Sequence, residues 1–130
     1  MNDRPDPATP TQDKPHLILD VDFVRGAFVL VLVNLGRQPA FEPRVAFSRK
    51  LVGAGGEVIV SELPIWTTLT VLIPGKRIEV FLDAASFVFR RKGSMRFRAT
   101  VTYHDEAGTP YEHRYQHDLG AYLGMPQIEI

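Results

Sequence analysis

The sequence contains no cysteine among its 130 residues, and its formal charges cancel to zero. A chain without cysteine has no disulfide framework, no thiol nucleophile and no cysteine-ligated zinc site. Balanced charge produces no overall field that would attract nucleic acid or an anionic membrane. We therefore expect no nucleic-acid partner and no chemistry that depends on a thiol.

Long apolar runs and a secretory leader are also missing. The longest apolar run, Ala27–Val33, is much shorter than the roughly 18 residues of a membrane-spanning helix. Residues 1–7 contain neither the basic segment nor the apolar stretch of a secretory signal. If Met1 is the native start, the default expectation is a cytoplasmic protein. Membrane association would require an anchor upstream of this sequence.

Signatures of catalysis, phosphate binding and metal binding are absent as well. No serine stands in a Gly-x-Ser-x-Gly turn. The glycine-rich segment Gly53–Gly56 precedes Glu57–Val60, which has strand composition, whereas a phosphate loop opens a helix; we predict a hairpin turn there. His113 and His117 could share a metal only on a helix, because in a strand they lie about 13 Å apart. We expect no enzymatic activity, no cofactor and no metal.

The sequence does contain a run, Phe28–Val33, in which both the odd-numbered and the even-numbered positions are apolar. Since alternate side chains of a strand point to opposite faces, this run predicts a central strand covered on both faces. The run ends at Asn34–Ala40, where Pro39 cannot donate a ladder hydrogen bond, so the chain must leave the sheet. Before it, Leu17–Val24 alternates between apolar and polar residues, and Arg25-Gly26 predicts a hairpin turn.

Further extended segments follow at intervals of about ten residues. We predict them at 45–52, 57–60, 65–73, 76–83, 95–104 and 111–117, and a short helical turn capped by Asp118. In segment 76–83 the alternation predicts that Ile78, Val80 and Leu82 point inward and that Arg77, Glu79 and Asp83 point outward. Segment 65–73 lacks clean alternation, so it can be two pieces. About seven or eight strands predict an all-β fold, a two-sheet antiparallel β-sandwich of immunoglobulin-like type. The predicted domain covers residues 16–124, between a disordered tail at 1–15 and a second tail at 125–130.

Apolar and aromatic residues outside the regular alternation indicate contact surfaces at 65–73 and 87–92. Five basic residues and no acidic one lie between Arg90 and Arg98. The candidate interaction residues are Trp66, Phe87, Phe89, Arg90, Arg91 and Lys92. The alternative for Trp66 is a plug at one end of the core, and the alternative for the basic segment is a solvated loop.

Three motifs carry a resemblance: Asn34–Ala40, Pro74-Gly75-Lys76 before a strand, and Val101–Asp105 before a glycine-containing turn. With them the chain resembles immunoglobulin-like β-sandwich modules of bacteria, similar to cell-adhesion-related domains and to small uncharacterised bacterial proteins. The resemblance implies a non-catalytic module for adhesion, assembly or display. No functional residue is carried over from it.

We therefore expect a module for protein–protein interaction or structural assembly, whose partner is an unidentified protein or a second copy of the chain. An alternative is a ligand-binding module for a glycan or an anionic group, using Trp66, Tyr111 or the basic segment 90–98. A hydrolase that uses His104 and Asp105 is a third hypothesis.

Overall fold

The computed structural model describes residues 13–91 and 94–125. Most of the two predicted tails, residues 1–12 and 126–130, therefore lies outside the described residues, as does Lys92. The described strands are β1 (Leu17–Val24), β2 (Ala27–Asn34), β3 (Ala40–Phe47), β4 (Val52–Gly53), β5 (Val58–Ile59), β6 (Val71–Leu72), β7 (Arg77–Ala84), β8 (Arg96–His104) and β9 (Pro110–Asp118). The helices are α1 (Ile65–Thr68) and α2 (Ala85–Arg90), with 3-10 turns at Ala54–Gly56, Val60–Glu62 and Leu119–Tyr122.

Two main sheets pack face to face. The first has the strand order β1-β2-β7 and the second the order β6-β3-β8-β9, while β4 and β5 form a separate two-stranded ribbon. All of the pairings are antiparallel. The prediction of an all-β, two-sheet antiparallel sandwich is confirmed. The strand count exceeds seven or eight because β4, β5 and β6 are only two residues long each.

Both sheets contribute alternate side chains to one core. Its buried members include Leu17, Leu19, Phe28, Leu30 and Leu32 from the first sheet and Val45, Phe97, Ala99, Val101 and Tyr103 from the second. The alternation read from the sequence in β1 and β8 therefore points the expected residues inward. This core fixes the relative positions of the loops at each end of the sandwich.

The predicted hairpins form as expected. β1 and β2 are joined by Arg25 and Gly26, whose φ angles of 51° and 75° are those of a type I′ turn. β8 and β9 are joined by a loop containing Gly108 at φ 88°. The Gly53–Gly56 segment turns between β4 and β5, as predicted, and no helix follows it directly.

The outer face of β2 is covered, as predicted, but by ion-paired side chains and not by packed secondary structure. A second packed layer was expected there, but this face is crossed by an ion-pair strap, defined as Asp22, Arg77 and Glu79. Arg77 lies opposite Val33 in the sheet and its guanidinium reaches Asp22, which lies opposite Val29. The side chain therefore passes over Val31, which is only 1% exposed.

The connections between the sheets differ in part from expectation. The chain leaves the first sheet before Pro39, as predicted, and enters the second at Ala40. Segment 65–73 is indeed two pieces, α1 and the short β6. No helix was predicted after β7, but the chain is helical there from Ala85 to Arg90.

The predicted outward position of Asp83 is wrong, because a β-bulge changes the alternation of β7. Val29 pairs with Phe81 whereas Phe28 pairs with Asp83, so one extra residue lies on β7 at this point. Phe28 points into the core, and Asp83 therefore points the same way. Its side chain is 1% exposed.

Candidate functional site

Helix α2 presents an aromatic residue and an arginine to solvent. Its inward residues, Ala85 and Val88, are buried in the core, whereas Phe87 is 46% exposed. The guanidinium carbon of Arg90 lies 5.8 Å from the centre of the Phe87 ring, within the range of a cation–π contact. We call Phe87 and Arg90 the α2 surface. Phe89 is only half-buried at the surface and packs edge-on against Phe28, with the ring centres 5.7 Å apart.

The C-terminal end of α2 is fixed by the buried carboxylate of Asp83. This carboxylate accepts hydrogen bonds from Arg91 and from the backbone amides of Gly55, at 3.1 Å, and Ala84, at 2.9 Å. Arg91 also donates to the Val52 carbonyl at 2.7 Å. The predicted site residue Arg91 is therefore a structural ion-pair partner, and Asp83 is a residue that the sequence pattern missed.

The prediction that Trp66 belongs to a contact surface is wrong, because this side chain is 1% exposed. Its indole Nε1 donates to the Val60 carbonyl at 2.7 Å, and its ring meets Phe47 edge-on at 5.2 Å. A buried tryptophan with a satisfied N–H is a core residue. The alternative interpretation of Trp66, a plug in the core, is the one that the structure supports. A glycan platform on Trp66 is thereby excluded.

A cavity of about 170 Å³ lies between α2, the end of β3 and the start of β8. Its floor consists of the apolar side chains of Leu51, Val52, Leu82, Val88, Met95 and Leu119, and its rim of Arg49, Lys50, Arg91 and Ser94. Arg49 spans the rim, since its Nε donates to the Arg96 carbonyl at 2.9 Å and another nitrogen donates to the Ser94 carbonyl. We call this the basic cavity.

A tyrosine and a histidine of β9 cover the free edge of β1. Tyr115 Oη donates to the Leu17 carbonyl, and His117 Nε2 donates to the Leu19 carbonyl, both at 2.8 Å. Unpaired backbone groups of an edge strand otherwise attract other strands. These side chains therefore have an architectural use that sequence periodicity could not reveal.

His113 has a different partner from His117. Its Nε2 lies 2.8 Å from Tyr103 Oη, and burial lowers the pKa of His113, with the nearby His16 lowering it further. Burial also raises the pKa of Tyr103 to about 12. Over the described residues, no group of three or more His, Asp or Glu side chains is arranged to hold a metal ion.

His104 and Asp105 do not form an acid–base pair through their side chains. His104 Nδ1 donates to the backbone carbonyl of Asp105 at 2.9 Å, and Nε2 lies 3.1 Å from Glu42 Oε1. The Asp105 carboxylate instead accepts from the Thr109 amide and from Tyr111 Oη, and these bonds lower the pKa of Asp105. The carboxylate beside the His104 ring is therefore Glu42 and not the Asp105 named in the hydrolase hypothesis.

Across residues 13–91 and 94–125, no helix has the length and apolar character needed to cross a membrane. The protein family described as Domain of unknown function (DUF8453) matches residues 8–123 of the sequence. No curated protein matches it.

Proposed function

The chain belongs to the family Domain of unknown function (DUF8453), and we propose that it is a non-catalytic β-sandwich module that binds another protein. The observation that carries this proposal is the α2 surface. An aromatic ring that is 46% exposed stands beside an arginine on a helix whose other face is anchored in the core. Aromatic and arginine side chains supply most of the binding energy at protein interfaces.

The charge around α2 indicates the chemistry of the partner. No acidic residue occurs in the sequence between Asp83 and Asp105, whereas five basic residues lie between Arg90 and Arg98. Two of the five, Arg91 and Arg96, form ion pairs with Asp83 and Asp118, so the excess positive charge of this segment comes from the other three. The partner surface is therefore an acidic one with an apolar recess for the Phe87 ring. Opposite charge across the rim of such an interface increases the rate of association and fixes orientation.

Strand order supports the finer comparison with immunoglobulin-like modules. In those modules the first, second, fourth and fifth strands share one sheet, and the third, sixth and seventh share the other. Here β1, β2 and β7 correspond to the first, second and fifth strands, and β3, β8 and β9 to the third, sixth and seventh. Among the described strands none corresponds to the fourth in the first sheet, and β6 lies beside β3 at the edge of the second. We therefore keep the immunoglobulin-like, bacterial type of module as part of this proposal, with assembly of the protein with its partner as its role.

Affinity capture from native lysate tests the proposal, using the wild-type chain, Phe87→Ser and Arg90→Glu as baits. The matched control is Phe81→Ser, because Phe81 is 52% exposed but lies on the outer face of the first sheet. We expect a partner that is retained by wild type and Phe81→Ser and lost with both α2 variants. With the purified partner, each α2 variant should weaken binding by about 30-fold or more, as at an interface hot spot.

Circular dichroism and thermal unfolding must show that the α2 variants remain folded. If Phe87→Ser unfolds the chain, Phe87 is a core residue and the surface assignment fails. The proposal also fails if all four baits capture the same proteins in the same amounts. A partner that proves to be a second copy of the chain would make the α2 surface a self-association interface.

A further inference from the structure

The basic cavity combines a buried apolar floor with a positively charged rim and is partly open to solvent. Leu51, Leu82 and Leu119 on the floor are each at most 3% exposed. Three cationic side chains stand on the rim, and none of the described lining residues carries a carboxylate. The α2 surface residue Phe87 does not line this cavity, so the two features can be tested separately.

Its size limits what the cavity can hold. An apolar cavity of about 150 Å³ in another protein accommodates benzene. A cavity of about 170 Å³ therefore accepts a single six-membered ring or a branched chain of similar bulk. A long acyl chain exceeds this volume.

The charges on the rim determine which polar group a ligand of this cavity should carry. Arg91 is already paired with Asp83, whereas Arg49 donates to the backbone carbonyls of Arg96 and Ser94 and has no carboxylate partner among the described residues. Lys50 has one distant acidic neighbour, Glu62, at 3.9 Å, and its side chain is 70% exposed. The exposed pair between Lys50 and Glu62 is weak, so Arg49 and Lys50 can together attract one anionic group at the mouth.

We propose that the basic cavity binds a compact apolar carboxylate, with the apolar body on the Leu51, Val88 and Leu119 floor and the carboxylate at Arg49 and Lys50. This proposal goes beyond the protein-interaction function and does not depend on it. The same chemistry is offered by a free aryl acid and by the C-terminal apolar residue of a peptide.

Calorimetry and methyl NMR on the full chain test the proposal with phenylacetate as the probe. Acetate has the charge without the ring, and phenylacetamide has the ring without the charge. We expect phenylacetate to bind at least tenfold more tightly than either and to shift the methyl signals of Leu51 and Leu119. Equal binding of phenylacetate and phenylacetamide, or no binding of phenylacetate at 10 mM (about the weakest useful affinity for a small ligand), would overturn the proposal.

Two variants and one control variant test the location of the site. Lys50→Glu should weaken phenylacetate binding at least tenfold, whereas Lys76→Glu, the same charge change in the turn before β7, should alter it less than twofold. Val88→Phe should abolish binding by filling the cavity; if it fails to fold, the comparison of the two lysine variants decides. Equal loss in both lysine variants would show a bulk charge effect and contradict the site.

A peptide arm identifies the source of the carboxylate. Gly-Gly-Phe with a free C-terminus is compared with its C-terminal amide and with phenylacetate. Tighter binding of the free peptide than of phenylacetate assigns the cavity to peptide C-termini, and the reverse order assigns it to a free acid. Peptide binding that is indifferent to amidation would count against the carboxylate site.

Discussion

Single polar residues hold together parts of this chain that are distant in sequence. Asn34 is fully buried, and its Nδ2 donates to the carbonyls of Gln38 and Leu72 at 2.9 Å each. Its Oδ1 accepts from the amides of His16 and Gly36. A carboxamide can donate twice and accept twice, so Asn34 uses its full hydrogen-bonding capacity to join the start of β1, the loop after β2 and the strand β6.

Two histidines should titrate on opposite sides of their ordinary pKa of about 6.5. The Asp105 carbonyl and then Glu42 raise the pKa of His104, because both ring nitrogens face acceptors. Its contribution to stability is therefore fully present below about pH 6.5 and is lost as the pH rises through the raised pKa. Burial lowers the pKa of His113, so its contribution is present above about pH 6.5 and is lost as the pH falls. An NMR titration of the imidazole Cε1 protons measures both.

Glu42→Gln provides the control for this titration. It removes the charged acceptor of His104 but leaves the Asp105 carbonyl, so the pKa of His104 should fall part of the way towards its ordinary value while that of His113 stays fixed. A wild-type His104 that titrates at or below pH 6.5 would show that these two hydrogen bonds are not formed in solution.

At the scale of secondary-structure elements, Asp83 joins β7, α2 and the β4–β5 ribbon. It does so by binding Arg91 at the end of α2 and the Gly55 amide in the turn of the ribbon. Gly53 allows the close approach of this ribbon, because a Cβ atom there would lie 1.8 Å from the Leu82 carbonyl oxygen. One carboxylate thus positions the helix that carries the α2 surface.

Replacing Asp83 by Ala should lower the free energy of unfolding by about 2–4 kcal/mol, since it leaves Arg91 and two backbone amides without their acceptor. Asp83→Asn should cost less, because its amide oxygen can still accept from Gly55 and Ala84. Urea unfolding measures both values. Asp20→Ala, on the exposed face of the same sheet, is the control and should change stability by less than about 0.5 kcal/mol. A cost for Asp83→Ala no larger than that of the control would refute the structural role of this carboxylate.

Elements whose local sequence pattern matches their environment could be predicted from the sequence. The prediction failed where a contact with residues distant in sequence determines which side chains are buried. β1 and β8 alternate clearly, and the turns after β1 and β8 contain Gly26 and Gly108, which tolerate the positive φ angles found there. The bulge in β7 has no glycine or other local signal, so alternation placed Asp83 on the wrong face. The burial of Trp66 depends on Val60 and Phe47, which no periodicity connects to it.

For the candidate site, the sequence predicted the types of residue but not their arrangement in space. An exposed aromatic and basic segment after β7 could be read from the sequence, and Phe87 and Arg90 do stand at the surface. The basic cavity could not be read, because its floor comes from residues between Leu51 and Leu119 that meet only after the two sheets pack. Arg49 and Lys50, which belong to no regular strand, gave no local signal of a shared site.

At the scale of the whole molecule, side chains cover one outer face and one edge of the first sheet without a third layer. The β9 side chains close the edge of β1, and the ion-pair strap covers the apolar outer face of β2. The stem of an arginine shields apolar surface while its charged end stays in water. The ion-pair strap thus shields the apolar outer face of the first sheet from water, as a third layer of secondary structure does in larger folds.

Removing the strap should make the protein self-associate without unfolding it. Arg77→Ala uncovers Val31 and the half-buried Val29 and Val33, which then form a continuous apolar stripe with the exposed Phe81. We expect sedimentation velocity to show concentration-dependent dimers or larger species for this variant and a monomer for Arg37→Ala, an exposed arginine in the Asn34–Ala40 loop. The change in melting temperature should be small, because exposed ion pairs contribute little to stability. Identical sedimentation of Arg77→Ala, Arg37→Ala and the wild type at every concentration would show that the arginine is not what keeps this face from associating.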